Sequence, residues 1–144
     1  MIEIERKFLV ISDEYRNTES VRIRQGYVCS ANNRVVRVRT KGEKGFLTLK
    51  NATIGFARNE YEYEIPLADA IEMLDTMCRK PIIDKTRYLY MYKGHLWEVD
   101  EFHGRNEGLV IAEIELEHEN DTFEKPDFIG DEVTGRPQFY NSNL

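Results

Sequence analysis

At 144 residues and 17.0 kDa the chain has the length of one ordinary domain, long enough to bury a working core. Its net charge of -6 and pI near 5.2 argue against a general affinity for nucleic acid or anionic membrane. No apolar run reaches the roughly 20 residues of a membrane span, and the N-terminus lacks a signal-peptide layout, so a soluble cytoplasmic protein is expected.

The first stretch, "IEIERKFLV" (2–10), alternates as a strand. It puts Glu3, Glu5 and Lys7 on one face and Ile2, Ile4 and Phe8 on the other. Four more strands follow: "VRIRQGYV" (21–28), "RVVRVRTK" (34–41), "GFLTLKN" (45–51) and "NEYEYEIP" (59–66). After Pro66, "LADAIEMLDTMC" (67–78) places Leu67, Ala70, Ile71, Leu74 and Met77 at helical spacing. The last three strands are "DKTRYLYMYK" (84–93), "HLWEVDEF" (95–102) and "VIAEIELEHE" (110–119). The links "ANN", "KGEKG", "KG" and "HGRNEG" are short enough for hairpins, so antiparallel neighbours are expected within a single domain spanning 1–144.

Eight strands make either a sandwich or a closed barrel, and an eight-stranded barrel can hold one small ligand. Parity collects Glu3, Glu5, Lys7, Arg37, Arg39, Lys50, Arg58, Glu60, Glu62, Glu64, Lys85, Arg87, Glu98, Asp100, Glu113, Glu115 and Glu117 on one face. The other face carries Ile4, Phe8, Val36, Val38, Leu47, Leu49, Tyr61, Tyr63, Ile65, Trp97, Val99, Ile114 and Leu116. A solvated surface mixes its signs, but here like charges recur two residues apart, as in Arg37-x-Arg39 and Glu113-x-Glu115-x-Glu117. That arrangement costs free energy unless counter-charge is supplied.

Clustered carboxylates without histidine or cysteine suit a hard divalent cation, and clustered Arg and Lys suit phosphate oxygens. One surface with both suits a metal-bound polyphosphate. Cys29 and Cys78 have neither a CxxC nor a zinc spacing and read as reduced structural thiols, and His95, His103 and His118 are scattered. Parity alone leaves open which face lines the barrel. If the charged one does, the apolar face must pack outward against covering segments.

In order along the chain, "EIERK", "RQGY", "RVR", "TLK", "EYEYE", "KTRY", "WEVDEF" and "AEIELE" resemble the CYTH superfamily, the triphosphate tunnel metalloenzymes, from Glu3 to Glu117. The resemblance implies a mainly β (α+β) fold, an eight-stranded antiparallel closed barrel with its charged face inside and peripheral helices. It implies that Lys7, Arg37, Arg39, Lys50, Lys85 and Arg87 hold the triphosphate, with Arg58 in the same substrate-binding group. Glu3, Glu5, Glu60, Glu62, Asp100, Glu113 and Glu115 would bind one or two Mg²⁺ or Mn²⁺ ions. Tyr27 looks like the tyrosine that pairs with the motif lysine in some relatives, which makes Lys7, Tyr27 and Glu5 the catalytic candidates; a core or rim tyrosine is the other reading.

Glu64, Glu98 and Glu117 lie toward strand ends, Arg22 and Arg24 have the opposite parity from Tyr27 and read as outer or rim charges, and Trp97 reads as core. The ending "IGDEVTGRPQFYNSNL" resembles that of small bacterial inorganic triphosphatases. The expected activity is hydrolysis of inorganic tripolyphosphate, with nucleoside triphosphates as secondary substrates, by a monomer or homodimer without nucleic-acid or membrane partners. A class IV-type adenylyl cyclase and a non-catalytic polyphosphate-binding module are the alternatives.

Overall fold

The computed structural model describes residues 2–55 and 57–144. Among these are nine strands: β1 (Ile2–Val10), β2 (Ser20–Ala31), β3 (Arg34–Lys41), β4 (Lys44–Lys50), β5 (Ala57–Ile65), β6 (Ile83–Tyr92), β7 (His95–Phe102), β8 (Val110–Glu115) and β9 (Ile129–Glu132). One α-helix, α1 (Leu67–Thr76), joins β5 to β6. The single helix and four short 3-10 turns replace the expected set of peripheral helices. No helix among the described residues is long and apolar enough to cross a membrane.

The strands run in the order β5-β4-β3-β2-β6-β7-β8-β1, and β1 returns to β5 to close the barrel. Every pairing is antiparallel, as the short links require. Asn32 and Asn33 both take positive φ in the β2–β3 turn, as do Lys93 and Gly94 in the β6–β7 turn. These tight turns match the twist of the flanking strands. The closing seam is short: Ile2, Glu3 and Ile4 pair with Asn59, Arg58 and Ala57. Farther along the same β1 edge, β9 pairs with Phe8 and Val10, a ninth strand too short to show alternation.

The barrel is inverted relative to most. Phe8, Trp97, Val99, Ala112, Ile114 and Leu116 point outward and form the core with Tyr15 and Phe128 from covering segments. A second core lies under α1, where Ala70, Leu74 and Cys78 meet Val38. The buried face of the helix is narrower than its sequence stripe: Ile71 and Met77 are exposed, because contact with the sheet runs through Ala70 and Leu74. Leu49, Tyr61 and Tyr63 also face outward but stay exposed, since no segment covers that part of β4 and β5 among the described residues. One interior end is apolar: Ile83, Phe102 and Ile111 share the parity of Lys85, Asp100 and Glu113 and pack with Leu109, Phe139 and Leu144.

Helix α1 can press onto the sheet because β4 carries glycine at its contact point. A Cβ at Gly45 would lie 2.7 Å from Ala70 Cβ and 3.1 Å from the Ile65 carbonyl oxygen. Gly45→Ala is expected to destabilise the protein by about 1–3 kcal/mol through this overlap. Urea denaturation measures it. The cost should shrink in the Ala70→Gly background, and an unchanged cost there would place the strain elsewhere.

Candidate active site

Strand order divides the lumen by charge. β3 contributes Arg37 and Arg39, and β6, on the far side of β2, contributes Lys85 and Arg87. On the opposite arc β8, β1 and β5 are neighbours and contribute Glu113, Glu115, Glu3, Glu5 and Glu60. Same-sign pairs along single strands therefore become same-sign walls facing one another. A cavity of about 590 Å³ is lined by Arg37, Arg39, Lys41 and Arg87 together with Glu3, Glu5, Glu62, Glu98, Glu113 and Glu115.

The basic wall is organised by two carboxylates, the buried Asp100 and the more exposed Glu62. Asp100 takes both Arg87 nitrogens in a fork at 2.8 and 2.9 Å and the Lys85 ammonium at 2.8 Å. Burial raises the Asp100 carboxyl, but Arg87 and Lys85 outweigh it and hold it below its ordinary value. Burial pulls the Lys85 ammonium down to about 8, with Asp100 opposing. Glu62 does the same service for β3: it accepts from Thr48 at 2.8 Å, Arg39 at 3.2 Å and Arg37 at 3.3 Å. Burial, with the repulsion of Arg37 and Arg87, pulls Arg39 down to about 10. The Nε groups of Arg37 and Arg39 are buried and meet no acceptor among the described residues, which leaves donors available to an anion.

The acidic wall is short of counter-charge. Glu3 is paired with Lys50 at 2.9 Å, and Glu60 lies 3.9 Å from the same ammonium. Glu5 and Glu113 face each other within hydrogen-bond reach, and burial followed by the Glu113 charge pushes Glu5 well above the usual carboxylate range. Burial also raises Glu113, but Lys7 and Arg87 outweigh it and hold its carboxyl low. Glu115 is raised by burial and by the charges of Glu3 and Glu98.

Among the described residues no three carboxylates, histidines or cysteines converge closely enough to hold an ion alone. The all-oxygen pair Glu5 and Glu113 nevertheless fits a small hard cation, which typically takes one or two carboxylates and completes its shell with water and phosphate oxygens.

Lys7 lies between the two walls. Its ammonium is 4.0 Å from Glu113 and donates to the Phe139 carbonyl at 3.3 Å, while its backbone is clamped by Thr134 and Val133. Lys7, Tyr27 and Glu5 share a smaller cavity of about 170 Å³ with Tyr140, Asn141 and Ser142 of the C-terminal segment.

All the candidate residues named from the sequence point into the lumen or its mouth, but their company differs from the expected division. Asp100 and Glu62, expected on the metal side, lie among cations, and Lys50, expected on the phosphate side, lies between Glu3 and Glu60. Arg58 sits at the mouth, its guanidinium bound to the Asn51 and Asn33 carbonyls. Glu98 is more central than its place near a strand end suggested, 3.1 Å from Arg87. Arg22 is outside, ion-paired with Asp84, and Trp97 is fully buried in the outer core. The sequence reading passed over Thr48, Lys41 and Phe139; the parity of Lys50 and Arg39 pointed to the first two.

The chain matches the CYTH domain family over residues 1–140. It is 54% identical over 143 residues to the inorganic triphosphatase of Acetivibrio thermocellus, covering 99% of this chain and 92% of that one. It is 35% identical over 148 residues to the inorganic triphosphatase of Nitrosomonas europaea, covering 100% and 97%. Among solved structures, one of an inorganic triphosphatase superposes with a TM-score of 0.71 at 33% identity, covering 98% of this chain and 92% of that one. A Pyrococcus horikoshii protein shares the fold at a TM-score of 0.64 and 19% identity, over 82% and 80% of the two chains.

If Asp100 is the counter-ion its contacts describe, Asp100→Asn strips Lys85 of its paired carboxylate and leaves Arg87 with Glu98 alone, at a cost of about 3 kcal/mol or more. A residue serving only as an anionic ligand would leave metal-free stability unchanged or raised, and chemical denaturation in chelator separates the two. The depressed pKa fixes the sign of the acid response. Asp100's contribution is complete above its ordinary 3.8 and is lost as pH falls through the lower folded value.

Lys85 generates a second expectation. Its ammonium is charged at neutral pH and loses its proton as pH rises through about 8, so affinity for inorganic tripolyphosphate should weaken across that range. Lys85→Arg stays charged and should flatten the titration. Equal pH dependence of the two calorimetric binding curves would remove Lys85 as the cause.

Proposed function

Because the chain belongs to the CYTH domain family, we propose that it is a divalent-metal-dependent hydrolase of triphosphates, with inorganic tripolyphosphate as its substrate. The observation that carries this reading is the division of one buried lumen into a basic wall, centred on Arg37, Arg39 and Arg87, and an acidic wall centred on Glu5 and Glu113. A linear polyanion with its bound cation is the ligand whose own charges complement both. The names of the Acetivibrio and Nitrosomonas relatives support tripolyphosphate over a nucleotide.

In this reading the guanidinium groups of Arg37, Arg39 and Arg87 grip non-bridging phosphate oxygens, and Lys85 and Lys7 add point charges. Glu62 and Asp100 hold those cations in place before substrate arrives, so little reorganisation is left for the reaction itself. Glu5 and Glu113 would hold the cation, which the absence of nearby imidazole or thiolate makes Mg²⁺ or Mn²⁺. When bound there, such an ion supplies charge neutralisation and a more acidic water. The basic wall then stabilises negative charge as it gathers on the departing pyrophosphate. That Tyr27 and Lys7 line one cavity with Glu5 supports a role for both at the reacting end.

A phosphate-release panel with tripolyphosphate, ATP and pyrophosphate, with Mg²⁺, Mn²⁺ or excess chelator, tests the reading. Orthophosphate from tripolyphosphate that vanishes in chelator is expected; full turnover in chelator, or cyclic AMP from ATP in place of orthophosphate, overturns it. Glu5→Gln should lower turnover on the order of 100-fold, while tripolyphosphate binding survives because the basic wall is untouched. Its amide can still donate to Glu113, so the metal-free melting temperature should not fall. Unchanged hydrolysis in this variant would remove Glu5 from the site.

A further inference from the structure

The "RQGY" segment contains a residue that the charge pattern does not explain. Gln25 is fully buried on the lumen side of β2, two residues from Tyr27 and sharing its face. Its Nε2 donates to the Tyr27 hydroxyl at 3.0 Å. Its Oε1 is buried and meets no donor among the described residues. An amide kept only for stability would be satisfied at both ends or replaced by an apolar side chain of the same shape. One end of Gln25 is engaged, and it is engaged with a candidate catalytic group.

The local backbone holds this arrangement firmly. Gly26, between the two residues, faces α1, and a Cβ there would lie 2.7 Å from Cys78 Cβ. The Tyr27 carbonyl accepts from the Arg79 amide at 2.9 Å, and the β2–β3 register shifts immediately afterwards, between Tyr27 and Cys29. A close helix contact, a loop hydrogen bond and a bulge thus fix where Gln25 and Tyr27 point.

We propose that Gln25 is a positioning residue of the active site, acting through Tyr27. Its amide N–H occupies one lone pair of the Tyr27 oxygen, so the phenolic proton must turn away from Gln25, toward the cavity shared with Lys7 and Glu5. The inference rests on the triphosphatase reading for its kinetic consequence and on the hydrogen bond alone for its structural one.

The test is a double-mutant cycle of Gln25→Met and Tyr27→Phe, with tripolyphosphate turnover, KM and melting temperature measured for each. Gln25→Met keeps the volume, deletes the unsatisfied carbonyl and removes the donor. It should lower kcat about tenfold with KM within about twofold, and leave the melting temperature equal or higher. In the Tyr27→Phe background it should cost no further activity. A melting temperature that falls makes Gln25 structural and overturns the proposal, as does an unchanged kcat or a full additive loss in the double variant. Without turnover, the Tyr27 13Cζ resonance in tyrosine-labelled protein, assigned by Tyr27→Phe, reports the bond directly. It should move in Gln25→Met more than those of the other tyrosines, and an unmoved resonance overturns the assignment. If the wild type releases no phosphate but this resonance moves, the triphosphatase reading fails and the Gln25 contact stands.

Discussion

Turning the charged face of a barrel inward commits the protein to burying ions, and the contacts of Asp100 offset part of that cost. Lys85, Arg87 and Asp100 are all nearly inaccessible to water, and an isolated ion moved from water into such a place loses several kcal/mol even after relaxation. Asp100 satisfies two cations at once with all three distances below 3 Å. Glu62 repeats the device for Arg37 and Arg39 with help from Thr48. These carboxylates make it possible to keep the four cations in a dry, fixed position. They also leave two arginine Nε donors unfilled, so the wall is neutralised without being saturated.

The same inversion dictates where the hydrophobic core can be. With ions inside, the apolar side chains of the wall must be covered from outside, which is why chain outside the barrel carries Phe123 onto Phe8 and Trp97, and Tyr15 and Phe128 onto Tyr88 and Tyr90. Glycines mark where cover approaches most closely: Gly45 and Gly26 both lie against α1 or its C-terminal end. The cover is incomplete over β4 and β5, where Tyr61 and Tyr63 remain exposed. Closure of the barrel is also economical, with three residue pairs between β1 and β5 and the remainder of that β1 edge given to β9.

How much of this was legible in the sequence depends on the range of the interaction. Period-two alternation is local, so eight strands, the helix and the face of each lumen residue could be read directly from "IEIERKF" or "RVVRVRTK". Cross-strand register is not local, and it decides who neutralises whom. Arg87 stands opposite Asp100 and Thr48 opposite Glu62 only because β6–β7 and β4–β5 pair in one particular register. That is why Asp100 and Glu62 read as members of the acidic set from sequence but lie among cations in space. β9 escaped because four residues cannot display a period, and Gln25 because a neutral side chain gives no charge signal despite having Tyr27's parity.

Strand order explains why the two walls can coexist in so small a protein. Around the barrel, β8, β1 and β5 are consecutive and acidic, while β3 and β6 flank β2 and are basic. Like charges on adjacent strands repel, and a sheet selected for stability alone would alternate signs between neighbours. The repulsion is relieved differently on each side. The basic wall takes in carboxylates from β7 and β5, whereas the acidic wall shares Lys50 between Glu3 and Glu60 and sets Lys7 and Arg87 against Glu113. The acidic side is thereby left with less counter-charge than the basic side, which is the polarity that the proposed metal-bound polyphosphate would need.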